Sequence, residues 1–341
     1  MDKQLVLAAA GSGKTSHIVK SLSENERNLI VTYTKTNLRN IRLSLIRRFG
    51  YIPEGTKVIS YFTFVHSFCY KPFLAYRLKT KGLNYKINSN RFAKGKQRYI
   101  DKYGRIYSNR IAKLIELEGA VKDVQNRLEK YYDVFFIDEV QDIAGHDFNL
   151  IMQILGSRVK MLFVGDFFQH TFDTSRDGIV NKTLHDDYEN YIKLFKTKGL
   201  EINNTALIKS YRCSDTICNF IMEKLNINIE SHRACETNIE MLDTKENILN
   251  VFDNNEIVKL FYQNRKNYKC NAMNWGESKG DDSCHDVCVV LNKKSYDMFC
   301  KDKLFELPPS TKNKLYVALT RARNNIYLIN QADLDRYLKE R

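Results

Sequence analysis

Short apolar and β-branched runs, separated by stretches whose apolar residues recur at helical spacing, set the rhythm of this chain. Leu5, Val6 and Leu7 predict the end of a buried strand, and Leu29 to Thr34, Val58 to Tyr61, Asp133 to Ile137 and Lys160 to Val164 predict four more. Between them Leu38, Ile41, Leu45 and Ile46 repeat at helical intervals. Strands alternating with helices predict an α/β fold with a parallel sheet. A second series, Asn204 to Ile208, Val287 to Leu291 and Asn325 to Ile329, predicts a second sheet in the C-terminal half. Gly178 and a polar, mixed-charge stretch interrupt the strong patterns between Asp177 and Leu200, and the 341 residues suffice for two domains, placed at 1–185 and 186–341.

One stretch departs from this rhythm. From about Leu74 to Lys130 the chain makes an excursion, and between Arg77 and Lys113 it carries twelve Lys and Arg residues against one acid, Asp101. Tyr85, Phe92, Tyr99, Tyr103 and Tyr107 are interleaved with them. Cations interleaved with rings suit the phosphates and bases of a single strand, although a solvated helical surface would carry the same charge. The net charge of +14 points the same way, to a polyanionic partner. Eight cysteines in so long a chain build no disulfide framework, and neither a signal peptide nor a run of about 18 apolar residues is found. A cytoplasmic protein without a membrane association is the expectation.

The chemistry begins at the first strand. Ala8 to Thr15 reads AAAGSGKT, a phosphate-binding loop in which Gly11, Ser12 and Gly13 let backbone N–H groups turn toward a triphosphate, Lys14 neutralises the outer phosphates and Thr15 ligates Mg²⁺. Asp133 to Asp142 reads DVFFIDEVQD, an apolar strand ending in two carboxylates, of which Asp138 suits the metal and Glu139 the attacking water. Downstream, VGDFFQ places Gln169 to reach a terminal phosphate or that water. SYR at Ser210 to Arg212 and YVALTRAR at Tyr316 to Arg323 offer Arg212 and Arg321 as forks for a transferring phosphoryl group, or as surface ion pairs. Cys270, Cys284, His285 and Cys288 lack the second spaced pair of a metal knuckle and read as ordinary thiols.

In this order and spacing the segments resemble the UvrD/Rep group of superfamily 1 (1A) DNA helicases. The resemblance covers nearly the whole chain as scattered motifs. It implies two RecA-like P-loop NTPase domains with parallel sheets, the first bearing a small basic insertion at 74–130, and use of ATP and Mg²⁺. TYTKTNLRNI, YFTFVHSF and VGDFFQHTF resemble segments that hold single-stranded DNA, which implies contacts by Thr32, Lys35, Thr63, His66 and Phe172. SYRCSDTI carries over an adenine-packing role to Tyr211 and a γ-phosphate contact to Arg212, VALTRAR an arginine finger to Arg321, and NWGESKGDD a strand contact to Lys279.

Departures from the family pattern shape the functional reading. Val65 separates the Phe and His of the segment usually written TFHSF. Lys279 and Gly280 are followed by Asp281 and Asp282 where the family has Leu-Glu, and the motif's Thr and His are absent. The glutamine-bearing segment upstream of the P-loop has no counterpart before Ala8, so relaxed adenine specificity is expected. The interval between Arg212 and Lys279 is too short for the family's large second accessory domain. The first reading is a compact ATP-driven translocase or helicase acting on single-stranded DNA or a single-strand/duplex junction, with ATP hydrolysed in an interdomain cleft; the resemblance implies 3′ to 5′ movement, a monomer suffices for it, and the oligomeric state stays open. The second is a nucleotide-dependent switch or loading factor that acts with a protein partner.

Overall fold

The computed structural model describes residues 3–90, 92–171 and 178–341. Fifteen strands are labelled in chain order: β1 (Lys3–Ala8), β2 (Asn28–Thr32), β3 (Thr56–Ser60), β4 (Gly82–Asn84), β5 (Arg105–Tyr107), β6 (Val134–Asp138), β7 (Lys160–Gly165), β8 (Glu201–Leu207), β9 (Lys209–Ser214), β10 (Glu230–Arg233), β11 (Ile239–Leu242), β12 (Val258–Phe261), β13 (Ala272–Asn274), β14 (Val287–Leu291) and β15 (Ile326–Asn330). The chain divides into two units. One comprises Met1–Val6, Thr15–Gly165 and Asp173–Asn203; the other comprises Leu7–Lys14, Asp166–Phe172 and Asn204–Arg341.

A six-stranded sheet runs β3-β2-β6-β7-β1-β8, and its β3-β2, β2-β6 and β6-β7 pairs are parallel. Strands β2 and β6 are buried along their whole length, as expected where helices cover both faces. The helix Lys35–Phe49 starts at the Thr34 cap, whose side chain accepts the Asn37 N–H, and stops at Gly50, which is left-handed at φ 83°. After β3, Ser60 caps a single turn, Tyr61–Thr63, that passes into a π-helix, Phe64–Ala75. Tyr61, read from sequence as the end of a strand, therefore opens a helix.

The basic stretch divides in two. Strands β4 and β5 pair in parallel as a small two-stranded sheet, whereas the helices Ile111–Leu117 and Val121–Tyr131 bury Ile111, Leu114, Ile115, Val124 and Leu128. Only the first part is an excursion.

The other unit holds a parallel sheet of order β11-β15-β14-β12-β13. Period-two alternation assigns its two faces: Val287, Val289 and Leu291 join one core with Ile217, Ile221 and Leu315, while Cys288 and Val290 join another with Ile248, Phe252 and Leu334. The segment between Arg212 and Lys279 is spent on β10 to β13 and the helices Asp215–Leu225 and Lys245–Asp253. One expected strand is placed differently. Asn204 to Ile208 was expected in the second sheet, but β8 lies beside β1, where the Ala9 N–H donates to the Leu207 carbonyl at 2.8 Å. Its side chains are half-buried or exposed, the profile of an edge strand, and such a pattern does not specify which sheet it joins.

Candidate functional site

The P-loop leaves β1 at Ala8 and enters the helix Lys14–Ser21. Gly11 and Gly13 take φ of 71° and 87°, left-handed values that favour glycine. Ser12 N–H and Oγ both return to the Ala9 carbonyl, at 3.3 and 2.8 Å, closing the turn on itself. Thr15, half-buried, follows Lys14 in the first helical turn.

Within the same unit, β9 runs against this loop. The Tyr211 N–H donates to the Gly11 carbonyl at 2.9 Å. A Cβ on Gly11 would stand 2.8 Å from both Arg212 Cβ and Ser210 Oγ, so only glycine lets the two segments approach this closely. The helix Pro309–Leu319 closes on the loop as well, because Tyr316 Oη accepts the Ala10 N–H at 2.9 Å and donates to Asp166 Oδ2 at 3.1 Å. Burial, then the Asp166 carboxylate, hold the Tyr316 phenol well above its ordinary pKa, so it keeps the proton it donates. Asp166 also caps the Phe168 N–H at 3.1 Å, which fixes the turn Phe167–Gln169 in which Gln169 is buried.

The two motif arginines share one carboxylate. Arg212 donates to the Thr320 carbonyl at 3.1 Å and to Asp282. Arg321 is buried, donates to the carbonyls of Val317 and Asp281 at 3.1 and 3.2 Å, and lies 3.8 Å from Asp282. Burial, and the Arg212 guanidinium, lower the Arg321 pKa to about 10, which leaves it charged at neutral pH. Tyr211 is exposed and stacks on His232, with ring centroids 4.0 Å apart at 15°. Lys279 is half-buried in the turn that leads to Asp281 and Asp282.

The acidic pair belongs to the other unit. Asp138 ends β6, and the Thr32 hydroxyl on neighbouring β2 donates to its Oδ2 at 3.2 Å. Glu139 takes a left-handed φ of 58°, an uncommon backbone for a residue with a side chain, and its carboxylate accepts from Gln141 Nε2. Gly165 makes room for that amide, since a Cβ there would lie 2.3 Å from Gln141 Oε1. A buried carboxylate at a strand end fits Mg²⁺, which takes one or two protein carboxylates and completes its shell with water and phosphate.

The expected strand contacts fall out unevenly. Thr32 is a correction: it is 1% exposed and its hydroxyl serves Asp138, so it has no surface to offer a strand. Lys35 is exposed at the start of its helix, in a first turn without an acid. Thr63 is exposed, its hydroxyl 2.9 Å from Ser60 Oγ, and His66 is half-buried and stacks on Phe62. Burial, then Lys71, lower the His66 pKa below its ordinary value. Phe172 lies outside the described residues. Cys284 and Cys288 are buried free thiols, the latter pushed up to about 12 by burial. Among the described residues no three His, Cys, Asp or Glu side chains gather into a metal site.

Residues 2–173 match the family model described as an AAA domain, and residues 102–330 match the viral superfamily 1 RNA helicase core domain. The chain belongs to the superfamily 1 helicases. The chain is similar in fold to two solved structures of Arterivirus nonstructural protein 10. One, a helicase in complex with DNA, is 15% identical with a TM-score of 0.50 over 98% of this chain and 62% of that one; the other is 13% identical with a TM-score of 0.51 over 96% and 59%. The chain thus spans about three fifths of the length of each of these two proteins. None of the curated proteins matches it significantly. The fold is α/β with parallel sheets, that of two RecA-like P-loop NTPase domains, and the family is one of enzymes that use nucleotides. The matching branch is the viral one, so UvrD/Rep membership rests on motif resemblance alone. No helix among the described residues is long and apolar enough to cross a membrane.

Sequence reasoning missed Tyr316, His232 and the role of Asp282. Tyr316 stands within the quoted YVALTRAR segment, and Asp282 stood out as a departure, but His232 had no local signal.

Proposed function

We propose that this helicase hydrolyses ATP with Mg²⁺ and uses the cycle to move along single-stranded nucleic acid. The observation that carries the reading is the fit of Arg212 against Gly11, which sets a C-terminal motif arginine on the phosphate loop itself. In the proposed cycle Lys14 and the loop N–H groups hold the β- and γ-phosphates, and Thr15 and Asp138 ligate Mg²⁺. Glu139 polarises the attacking water, Gln169 orients it, and Arg212 and Arg321 stabilise the charge that develops on the transferring phosphoryl group. The base stacks on Tyr211. Lys35, Thr63, His66, Phe172 and Lys279 form the proposed strand track, and the lysines of the β4–β5 region extend it.

Direction is part of the proposal: the UvrD/Rep resemblance carries 3′ to 5′. That resemblance also carries DNA as the strand, while the matching family model is described for RNA helicases. ATP hydrolysis measured with and without single-stranded DNA or RNA, beside translocation toward a label at either end, tests all of these. Hydrolysis that neither strand stimulates would favour the second reading, a nucleotide switch or loading factor working with a protein partner. The specific support for that reading is Asp282, whose carboxylate accepts from Arg212 and lies 3.8 Å from Arg321.

A further inference from the structure

Four rings form a column along the π-helix and out onto the β4–β5 excursion. Tyr70 and His66 stack with centroids 6.2 Å apart at 22°, His66 and Phe62 follow at 5.8 Å and 9°, and Tyr85 leans on Phe62 at 5.8 Å and 41°. Spacing of four residues on one helix brings the first three together, and the segment directly after β4 supplies the fourth. Exposure climbs along the column from Tyr70 at 1%, through half-buried His66, to Phe62 at 36% and Tyr85 at 71%. The inner end is fixed, because Tyr70 Oη lies 2.9 Å from Thr80 Oγ1. The outer end is a pair of large rings held in place and open to solvent.

The charge around that end is one-sided. Asp101, the sole acid among twelve cations, is used internally: its carboxylate accepts the Tyr103 and Arg105 N–H groups at 2.9 Å each, Arg105 Nε at 2.8 Å and Asn84 Nδ2 at 2.9 Å. That set of bonds folds the loop between Asn84 and Arg105 and removes the one negative charge from the surface. Arg77 and Lys113 are paired with Glu118 and Glu116. Lys79, Lys81, Lys86, Lys94, Lys96 and Lys102 are exposed and form no ion pair within the described residues. Exposed rings beside unpaired lysines match a ligand that presents flat faces and negative charge together.

We propose that Phe62 and Tyr85 form a stacking platform for an unpaired base of a single strand, whose phosphates meet the lysines of the β4–β5 region. A base in a duplex has both faces covered by its neighbours, so the platform accepts unpaired strand alone. The proposal rests on the nucleic-acid reading above and adds the rings that hold the base. Phe62 lies within YFTFVHSF, although the resemblance carries strand contacts there to Thr63 and His66 only, and Tyr85 lies outside every such segment.

The test separates base from backbone. Anisotropy without nucleotide compares an oligothymidylate of about 15 nucleotides with an abasic strand of equal length, for the wild type, Phe62→Ala/Tyr85→Ala and the ring-conserving Phe62→Tyr/Tyr85→Phe. The wild type should prefer the base-bearing strand by about tenfold or more. The alanine pair should lose most of that preference while its affinity for the abasic strand is unchanged, and the ring-conserving pair should retain the preference. Equal wild-type affinity for the two strands overturns the platform and leaves nucleic-acid binding standing. No wild-type affinity for either strand overturns both. Loss in the ring-conserving pair equal to that in the alanine pair also overturns the platform.

Discussion

At the scale of single residues the site turns on carboxylates set against unusual partners. Glu139 sits on a left-handed backbone with its side chain fixed by Gln141, so its carboxylate is oriented before any substrate arrives. Replacing Glu139 by Gln keeps the shape and removes the base. Nucleotide binding should survive while turnover falls by roughly 100-fold or more, measured by steady-state hydrolysis beside binding of a fluorescent ATP analogue. Turnover near the wild-type rate would show that the water is activated elsewhere. Asp282 poses a different question, since it neutralises Arg212 and Arg321 with a charge that a γ-phosphate would also supply. For Asp282→Asn, removing the competitor should lower KM for ATP by about threefold to tenfold, the range of a partly exposed charge-assisted pair. A raised KM would instead make Asp282 the residue that positions the two forks.

At the scale of elements, the P-loop is held in its unit as much by the helix Pro309–Leu319 as by the strand it follows. Tyr316→Phe deletes one oxygen and leaves the Ala10 N–H without its acceptor in a buried place, at a cost of about 1 to 3 kcal/mol. A melting temperature lower by a few degrees, with turnover reduced more than KM is raised, is the expected result in calorimetry and steady-state kinetics. A variant with unchanged kinetics would reduce the bridge to packing. The same bridge shows what the sequence could disclose. The P-loop and the acidic end of β6 are contiguous in the chain, and local patterns exposed them. Strands β2, β6, β7, β14 and β15 are apolar runs and were equally legible. Strand β12 was not, because Lys259 interrupts its apolar pattern while its ammonium is buried against the Asn254 carbonyl. Strands β10, β11 and β13 are only three or four residues long and mostly half-buried, too brief for periodicity to mark. Tyr316 on Ala10, Asp282 on two arginines and His232 on Tyr211 are meetings of distant segments, and no local pattern encodes them.

At the scale of the molecule, the question is whether this chain separates strands by itself. The residues between Arg212 and Lys279 are used up in β10, which pairs with β9 in a two-stranded sheet, in strands of the second parallel sheet and in their helices, which leaves the β4–β5 excursion as the basic addition available to hold a strand. Opening a duplex opposes stacking of roughly 1 to 2 kcal/mol per base-pair step, and the motor must hold each step against reannealing. A single-strand track with one small basic region resists that return over a few steps more readily than over many. On the proposed function, the chain should therefore hydrolyse ATP on single strands and open a duplex of about 15 base pairs far better than one of about 60, in single-turnover reactions with excess trap strand. The relation between the two lengths carries the argument, since a motor that dissociates at a fixed rate per step loses yield geometrically with length. Efficient opening of the longer duplex by the isolated chain would overturn it and assign fork-holding to the elements already present. Opening of the longer duplex only when a second protein is added would place the missing grip on that partner.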